Sequence, residues 1–273
     1  MNTIFQCPVC QASLNRAEQQ YQCPNGHSFD IAREGYVNLL LANQKKSKDP
    51  GDSKAMIRSR KAFLAEGHYQ PLAESIVAII QQSEINNPII LDAGCGEGYY
   101  TDFIHQHVSN AEPYGIDIAK DAVRYASKHN QKIDYAVASV TALPIQDNSV
   151  DCVISIFAPR NAQELSRVLK NNSILITATP APNHLLELRH MIYDDVRPYA
   201  LMDRDTFAPQ FTQIVTQQVT YQITLMNADA IANLLQMTPF YWHSPNEKQQ
   251  ALQRLSQLDL HIAFEVAVWR VTT

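Results

Sequence analysis

From about residue 71 onward the chain alternates short apolar strand patterns with amphipathic helical ones, and few folds accept that order. QPLAESIVAIIQQS carries helical spacing at Leu72, Ile76, Ile79 and Ile80. PIILDAG then reads as a buried strand, YYTDFIHQHV as a helix, EPYGIDI as a strand and KDAVRYASKHN as a helix. KIDYAVAS and SVDCVISIFA read as strands, NAQELSRVLK as a helix, NSILITATP as a strand and NHLLELRHMIYDD as a helix. Short strands separated by helices of this length imply βαβ units and a parallel, doubly wound sheet. After Phe211 the pattern changes to a strand, two helices and a last strand, HIAFEVAVWRVT. The expected class is α/β, with a Rossmann-like sheet.

The first strand runs into LDAGCGEGYY, residues 91–100, and a helix follows. A glycine-rich turn between strand and helix lets a ligand approach the backbone closely. The spacing at Gly94, Gly96 and Gly98 is GxGxG, which is neither the pyrophosphate fingerprint GxGxxG nor a P-loop. Asp92 precedes the first glycine. Asp117 ends the next strand, where a carboxylate can accept both hydroxyls of a ribose.

Before the alternation begins, Cys7, Cys10, Cys23 and His27 form C-x2-C-x12-C-x3-H. Two short turns each deliver two ligands, and zinc takes sulfur and nitrogen in tetrahedral sites; the histidine favours zinc over iron. Four protein ligands leave no open position for water, so a structural ion is expected. Losing it is expected to unfold the N-terminal module without abolishing cofactor binding. The longest apolar runs are too short to span a bilayer, and no basic region followed by an apolar stretch opens the chain. A cytoplasmic setting is therefore expected, where clustered cysteines mean metal rather than disulfide.

The formal charge is −5, but its distribution is uneven. Lys45, Lys46, Lys48, Lys54, Arg58, Arg60 and Lys61 face only Asp49 and Asp52 within residues 45–61, which leaves −10 on the rest. Such a local cationic footprint suits a polyphosphate partner. Texture divides the chain into a zinc-binding module at 1–34, a basic connecting segment at 35–70 and a large domain at 71–273.

The turn, with Asp117 after the second strand, resembles the class I S-adenosylmethionine-dependent methyltransferases. That likeness implies Gly94, Gly96, Glu97 and Gly98 around the methionine end, with Asp92 beside them. It places Asp117 on the ribose and Ser139 and Val140 about the adenine. The ordered set CPNGHSFDIAREGYVNLL, KDPGDS, RKAFLAEGHYQPL and LDAGCGEGYYT, behind a Cys3His module, resembles the bacterial 23S rRNA (guanine-N1)-methyltransferases over essentially the whole chain. The resemblance implies methyl transfer to guanine N1 in a 23S rRNA hairpin loop, with guanine 745 as the favoured target and the guanine 748 of a macrolide-resistance subgroup as the alternative. It also implies Tyr69 and His184 as cofactor contacts, a zinc module that helps grip RNA, and a homodimer.

The fourth strand ends in Phe157-Ala158-Pro159-Arg160. That place faces the methyl donor, so Phe157 is a candidate to stack on a flipped base and Arg160 to contact base or phosphate. Cys95 and Cys152 do not sit where a nucleophilic cysteine is needed, and no carboxylate stands out as the acceptor of the N1 proton. Two rivals remain: a small-molecule methyltransferase, and a non-catalytic RNA-binding protein on this fold.

Overall fold

The computed structural model describes residues 2–45, 47–196, 198–199 and 207–272. The chain opens with an antiparallel sheet of β1 (Asn2–Gln6), β2 (Ser13–Arg16), β3 (Gln20–Gln22) and β4 (Ser28–Asp30). β5 (Val37–Asn38), α1 (Lys54–Ala65) and α2 (Gln70–Gln82) follow. Ser53 caps α1 by accepting from the Met56 amide at 3.3 Å, and Pro71 opens α2 without a donor to lose. The alternation then gives β6 (Ile89–Ala93), α3 (Tyr99–His107), β7 (Glu112–Asp117), α4 (Lys120–His129), β8 (Asp134–Val137), β9 (Val150–Ile156), α5 (Ala162–Val168), β10 (Leu169–Pro180) and α6 (Leu186–Ile192). β11 (Phe211–Leu225), α7 (Ala228–Met237), α8 (Phe240–His243), α9 (Asn246–Gln253) and β12 (Leu258–Val271) complete it.

The large sheet has the order β11-β12-β10-β9-β6-β7-β8-β5. Every pair from β10 to β5 is parallel, and β12 runs antiparallel to both of its neighbours. The order reverses between β6 and β9, which places a ligand crevice at the carboxyl ends of these strands. Each strand expected from residue 89 onward is present. α5 is shorter than its pattern suggested, because Leu169 already pairs with Val150 in the sheet.

A parallel sheet must be covered on both faces. On one face α2, α3, α6 and α7 pack against Ile90, Cys152, Ile154 and Ile176. On the other, the β8–β9 connection, residues 138–149, carries no helix. The N-terminal module fills that place. Ile4, Phe5, Leu14 and Tyr21 join Leu91, Tyr114, Ile116, Ala136 and Val153 in one continuous core. Phe5 meets Tyr21 and Tyr114 edge-on, each at 5.6 Å between ring centroids. The Gln6 amide donates to the Pro144 carbonyl at 2.9 Å, Gln146 Nε2 donates to the Thr3 carbonyl at 2.6 Å, and Arg16 pairs with Asp134. The 35–70 stretch is likewise built in: β5 extends the sheet beside β8, and α1 lies against α7 and α4.

Candidate active site and metal centre

The carboxyl ends of β6 and β7 form the first half of the site. The amides of Gly94 and Cys95 both donate to the Ile116 carbonyl at 2.9 Å, folding the turn back over β7. Gly94 has φ +97°, and a Cβ there would lie 2.4 Å from the Ala158 Cβ, so only glycine fits. Asp117 stands at the crossing: Oδ2 accepts from the Gly96 amide at 3.0 Å and Oδ1 from the Ala119 amide at 2.7 Å. Each carboxylate oxygen keeps a further lone pair for a hydroxyl donor. Ser139 and Val140 follow β8 close by, where the Ala138 amide bonds the Asp117 carbonyl at 3.0 Å.

Glu97 is buried in the turn, and its Oε2 has no hydrogen-bond partner among the described residues. The Arg60 Nη1 stands 3.8 Å from it and 2.6 Å from Asp52. Burial pushes Glu97 up to about 7 against the opposing Arg60 charge. A ligand bearing an ammonium group and a ribose would satisfy both Glu97 and Asp117, so S-adenosylmethionine fits these residues. Asp92 lies under the turn rather than in the crevice: Thr101 Oγ1 donates to it at 2.6 Å, and burial pushes it up to about 7.

Across the crevice, Tyr69 and His184 are both buried and their side chains meet at 3.4 Å. The Ala263 amide donates to His184 Nδ1 at 3.2 Å, so the neutral ring carries its proton on Nε2 and offers it to the Tyr69 oxygen. Burial, reinforced by the Arg189 charge, holds His184 neutral by lowering it to about 3. Phe157, just past β9, has φ +53° and remains 43% exposed. A bulky residue in that left-handed region is strained, and here the strain turns an aromatic ring outward. Its ring lies 6.5 Å from Tyr69 and 5.3 Å from Phe264. Cys95 and Cys152 are buried, and burial raises both thiols.

Two candidates take up other duties. Arg160 Nε donates to Ser155 Oγ at 3.2 Å, and its Nη2 to the carbonyls of Ser155 and Ala178 at 3.1 and 3.0 Å, which braces β9 against β10. Arg60 turns inward to Asp52 and Glu97, unlike Lys54, Arg58 and Lys61, which are exposed on α1. Lys45 and Lys48 are exposed in the preceding loop, and Lys46 lies outside the described residues. Thr101 and Asp52, which hold Asp92 and Arg60, lie inside LDAGCGEGYYT and KDPGDS, but those patterns do not mark these two roles.

In the N-terminal module one ligand atom from each of Cys7, Cys10, Cys23 and His27 lies within 4.8 Å of all the others. Cys10 Sγ and Cys23 Sγ are 3.7 Å apart, and Cys23 Sγ is 3.4 Å from His27 Nδ1. A tetrahedron with ordinary zinc–sulfur and zinc–nitrogen bonds has edges of about 3.8 and 3.6 Å. The Ala12 amide and the Asn25 side-chain amide favour the Cys10 thiolate, pushing it down to about 6. The donor set therefore fits a closed structural zinc through His27 Nδ1.

Comparison with known proteins agrees with both halves. A methyltransferase-domain model matches residues 90–172, and a model of the RlmA N-terminal zinc ribbon matches residues 5–48. A chain from the Haloferax volcanii complex between the Trm112 methyltransferase activator and a methyltransferase superposes with a TM-score of 0.51 at 16% identity, over 82% of this chain and 100% of its own. Fold and turn define a class I S-adenosylmethionine-dependent methyltransferase carrying a zinc module. The 23S rRNA (guanine(748)-N(1))-methyltransferase of Streptomyces fradiae is 31% identical over 96% of this chain and 95% of its own. YxjB of Bacillus subtilis strain 168, provisionally named a 23S rRNA (guanine-N1)-methyltransferase, is 32% identical over 97% and 96%. The chain belongs to the 23S rRNA (guanine-N1)-methyltransferase family. No helix among the described residues is long and apolar enough to cross a membrane.

Proposed function

We propose that this enzyme methylates N1 of a guanine in a 23S rRNA hairpin loop. The observation that carries the reading is Phe157, an exposed aromatic ring held in strained backbone beside the crevice that the Gly-rich turn and Asp117 line. S-adenosylmethionine would supply an electrophilic methyl group on its sulfonium, so that the N1–CH3 bond forms as the S–CH3 bond breaks, the neutral thioether leaves and the N1 proton passes to water. The protein's part is to seat and orient. Asp117 takes the ribose hydroxyls, Glu97 the ammonium, and Ser139 and Val140 flank the adenine. The Tyr69–His184 pair closes the far wall, and Phe157 stacks on the extruded guanine. No cysteine nucleophile is required, in keeping with the buried Cys95 and Cys152. Lys45, Lys48, Lys54, Arg58 and Lys61 draw in the RNA backbone, and the setting is the cytoplasm, where rRNA is found.

A Phe157→Ala variant tests this directly. It is expected to bind S-adenosylmethionine as the wild type does while methyl transfer to RNA falls roughly 5- to 150-fold, the range for losing one stacked base. Equal transfer by both proteins would remove the stacking role. Whether the modified guanine is 745, as the resemblance implies, or 748, as in the Streptomyces fradiae relative, is read from the primer-extension stop. Light scattering with and without RNA reads the homodimer.

Glu97 gives the reaction a pH signature. An ammonium beside it favours the carboxylate, so binding couples to loss of the proton that burial holds on it up to about 7. Affinity for S-adenosylmethionine is expected to rise from pH 5.5 to about 7.5 and then level. Glu97→Gln should flatten that profile. Calorimetry in buffers of different ionisation enthalpy measures the released proton, and an unchanged profile in the variant would assign the dependence elsewhere.

A further inference from the structure

The sequence drew attention to one basic run, but the fold sets a second basic stripe opposite it. Lys54, Arg58 and Lys61 recur at four and three residues along α1, away from its buried face of Ile57, Phe63 and Leu64. Arg124, Tyr125 and Lys128 lie on the outer face of α4, whose buried side is Ala122, Val123 and Ala126. Between the helices runs a groove of about 610 Å³, bordered by both stripes. Within that lining the only carboxylate is Asp121, 3.7 Å from Lys54 Nζ. Arg124 pairs with Glu34 at 3.1 Å, whereas Arg58 and Lys128 have no ion pair among the described residues.

Tyr125 distinguishes the groove from scattered surface lysines. The residue is 44% exposed, and Lys61 Nζ sits 4.1 Å from its ring centroid. Cations alternating with an exposed aromatic ring are the chemistry of single-stranded nucleic acid, with phosphates on the cations and a base on the ring. The groove also leads inward. A second cavity of about 280 Å³ shares Lys61, Tyr125 and His129 with it and reaches Glu97, Gly98 and Tyr99 at the glycine-rich turn.

We propose that the α1–α4 groove seats an RNA strand flanking the methylated base, with phosphates on Arg58 and Lys128 and one base stacked on Tyr125. The inference rests on the rRNA substrate proposed above and adds α4 to the surface that holds it. The probe is a labelled, unmodified 23S rRNA hairpin carrying the 745–748 loop. An Arg58→Glu/Lys128→Glu double variant is expected to bind it at least tenfold more weakly in about 100 mM salt. Its slope of log affinity against log salt should be shallower by about 1.4–1.8, for two lost phosphate contacts. Tyr125→Ala is expected to weaken binding about fivefold or more with the slope unchanged, and Tyr125→Phe to restore it. Wild-type affinity for S-adenosylmethionine in each variant shows that the fold is intact. Wild-type RNA affinity in the double variant or in Tyr125→Ala would overturn the groove while wild-type methylation of the hairpin left the substrate standing. Failure of the wild type to methylate the hairpin would remove both.

Discussion

An Asp117→Ala variant is expected to bind S-adenosylmethionine about two to four orders of magnitude more weakly than the wild type. Two contributions add. The carboxylate holds the Gly96 and Ala119 amides at 3.0 and 2.7 Å, so its loss loosens the turn that shapes the methionine end. Its remaining lone pairs would no longer meet the ribose, and a hydrogen bond to a charged group is worth about 1.5–3 kcal/mol. Asp117→Asn keeps one carbonyl oxygen and should lose roughly tenfold. Calorimetry gives both constants and circular dichroism checks the fold. An alanine variant that binds within threefold of wild type would mean that the ribose lies elsewhere.

The second large effect concerns the metal. Read from spacing, the zinc module is an appendage whose loss would leave the rest standing. The structure argues otherwise, because Ile4, Phe5, Leu14 and Tyr21 cover the sheet face that the helix-free β8–β9 connection leaves open. Zinc binding supplies about 10–16 kcal/mol in small zinc-folded peptides, and a module of this size has too small a core of its own to hold its ligand turns in place without the ion. Chelation or Cys7→Ala is therefore expected to lower the melting temperature of the whole chain in one transition. If about 5 kcal/mol of that support reaches the large domain, the fall is roughly 10–20 °C. Calorimetry with and without chelator checks it. Two separate transitions, with the larger unmoved, would restore the view of an independent module.

The contrast shows what local sequence carries. The strands from Ile89 onward and the helices between them were legible because apolar periodicity is written within each segment. The four metal ligands were legible because two short turns bring them together. The packing of Phe5 on Tyr114 and the bridge from Phe5 to Ile145 were not, since they join residues more than a hundred positions apart with no local mark. Arg60 is an instructive middle case. Counted along the chain it belongs with the basic run, yet it stands three residues after Ile57 and four before Leu64, on the buried side of α1. The helical phase held that information, and a charge count could not use it. The strained backbone of Phe157 had no mark in FAPRN at all.

On this reading of the site, the crevice at the ends of β6, β7 and β9 moves a methyl group from S-adenosylmethionine to guanine N1 of 23S rRNA. The most direct measurement incubates the zinc-loaded enzyme with methyl-labelled S-adenosylmethionine and unmodified 23S rRNA, then maps the product by primer extension. Label is expected in the RNA, with one new stop at a hairpin-loop guanine, and both are lost in Asp117→Ala. Label that enters a small metabolite instead, or rRNA that stays unlabelled while the protein binds S-adenosylmethionine, would contradict that reading.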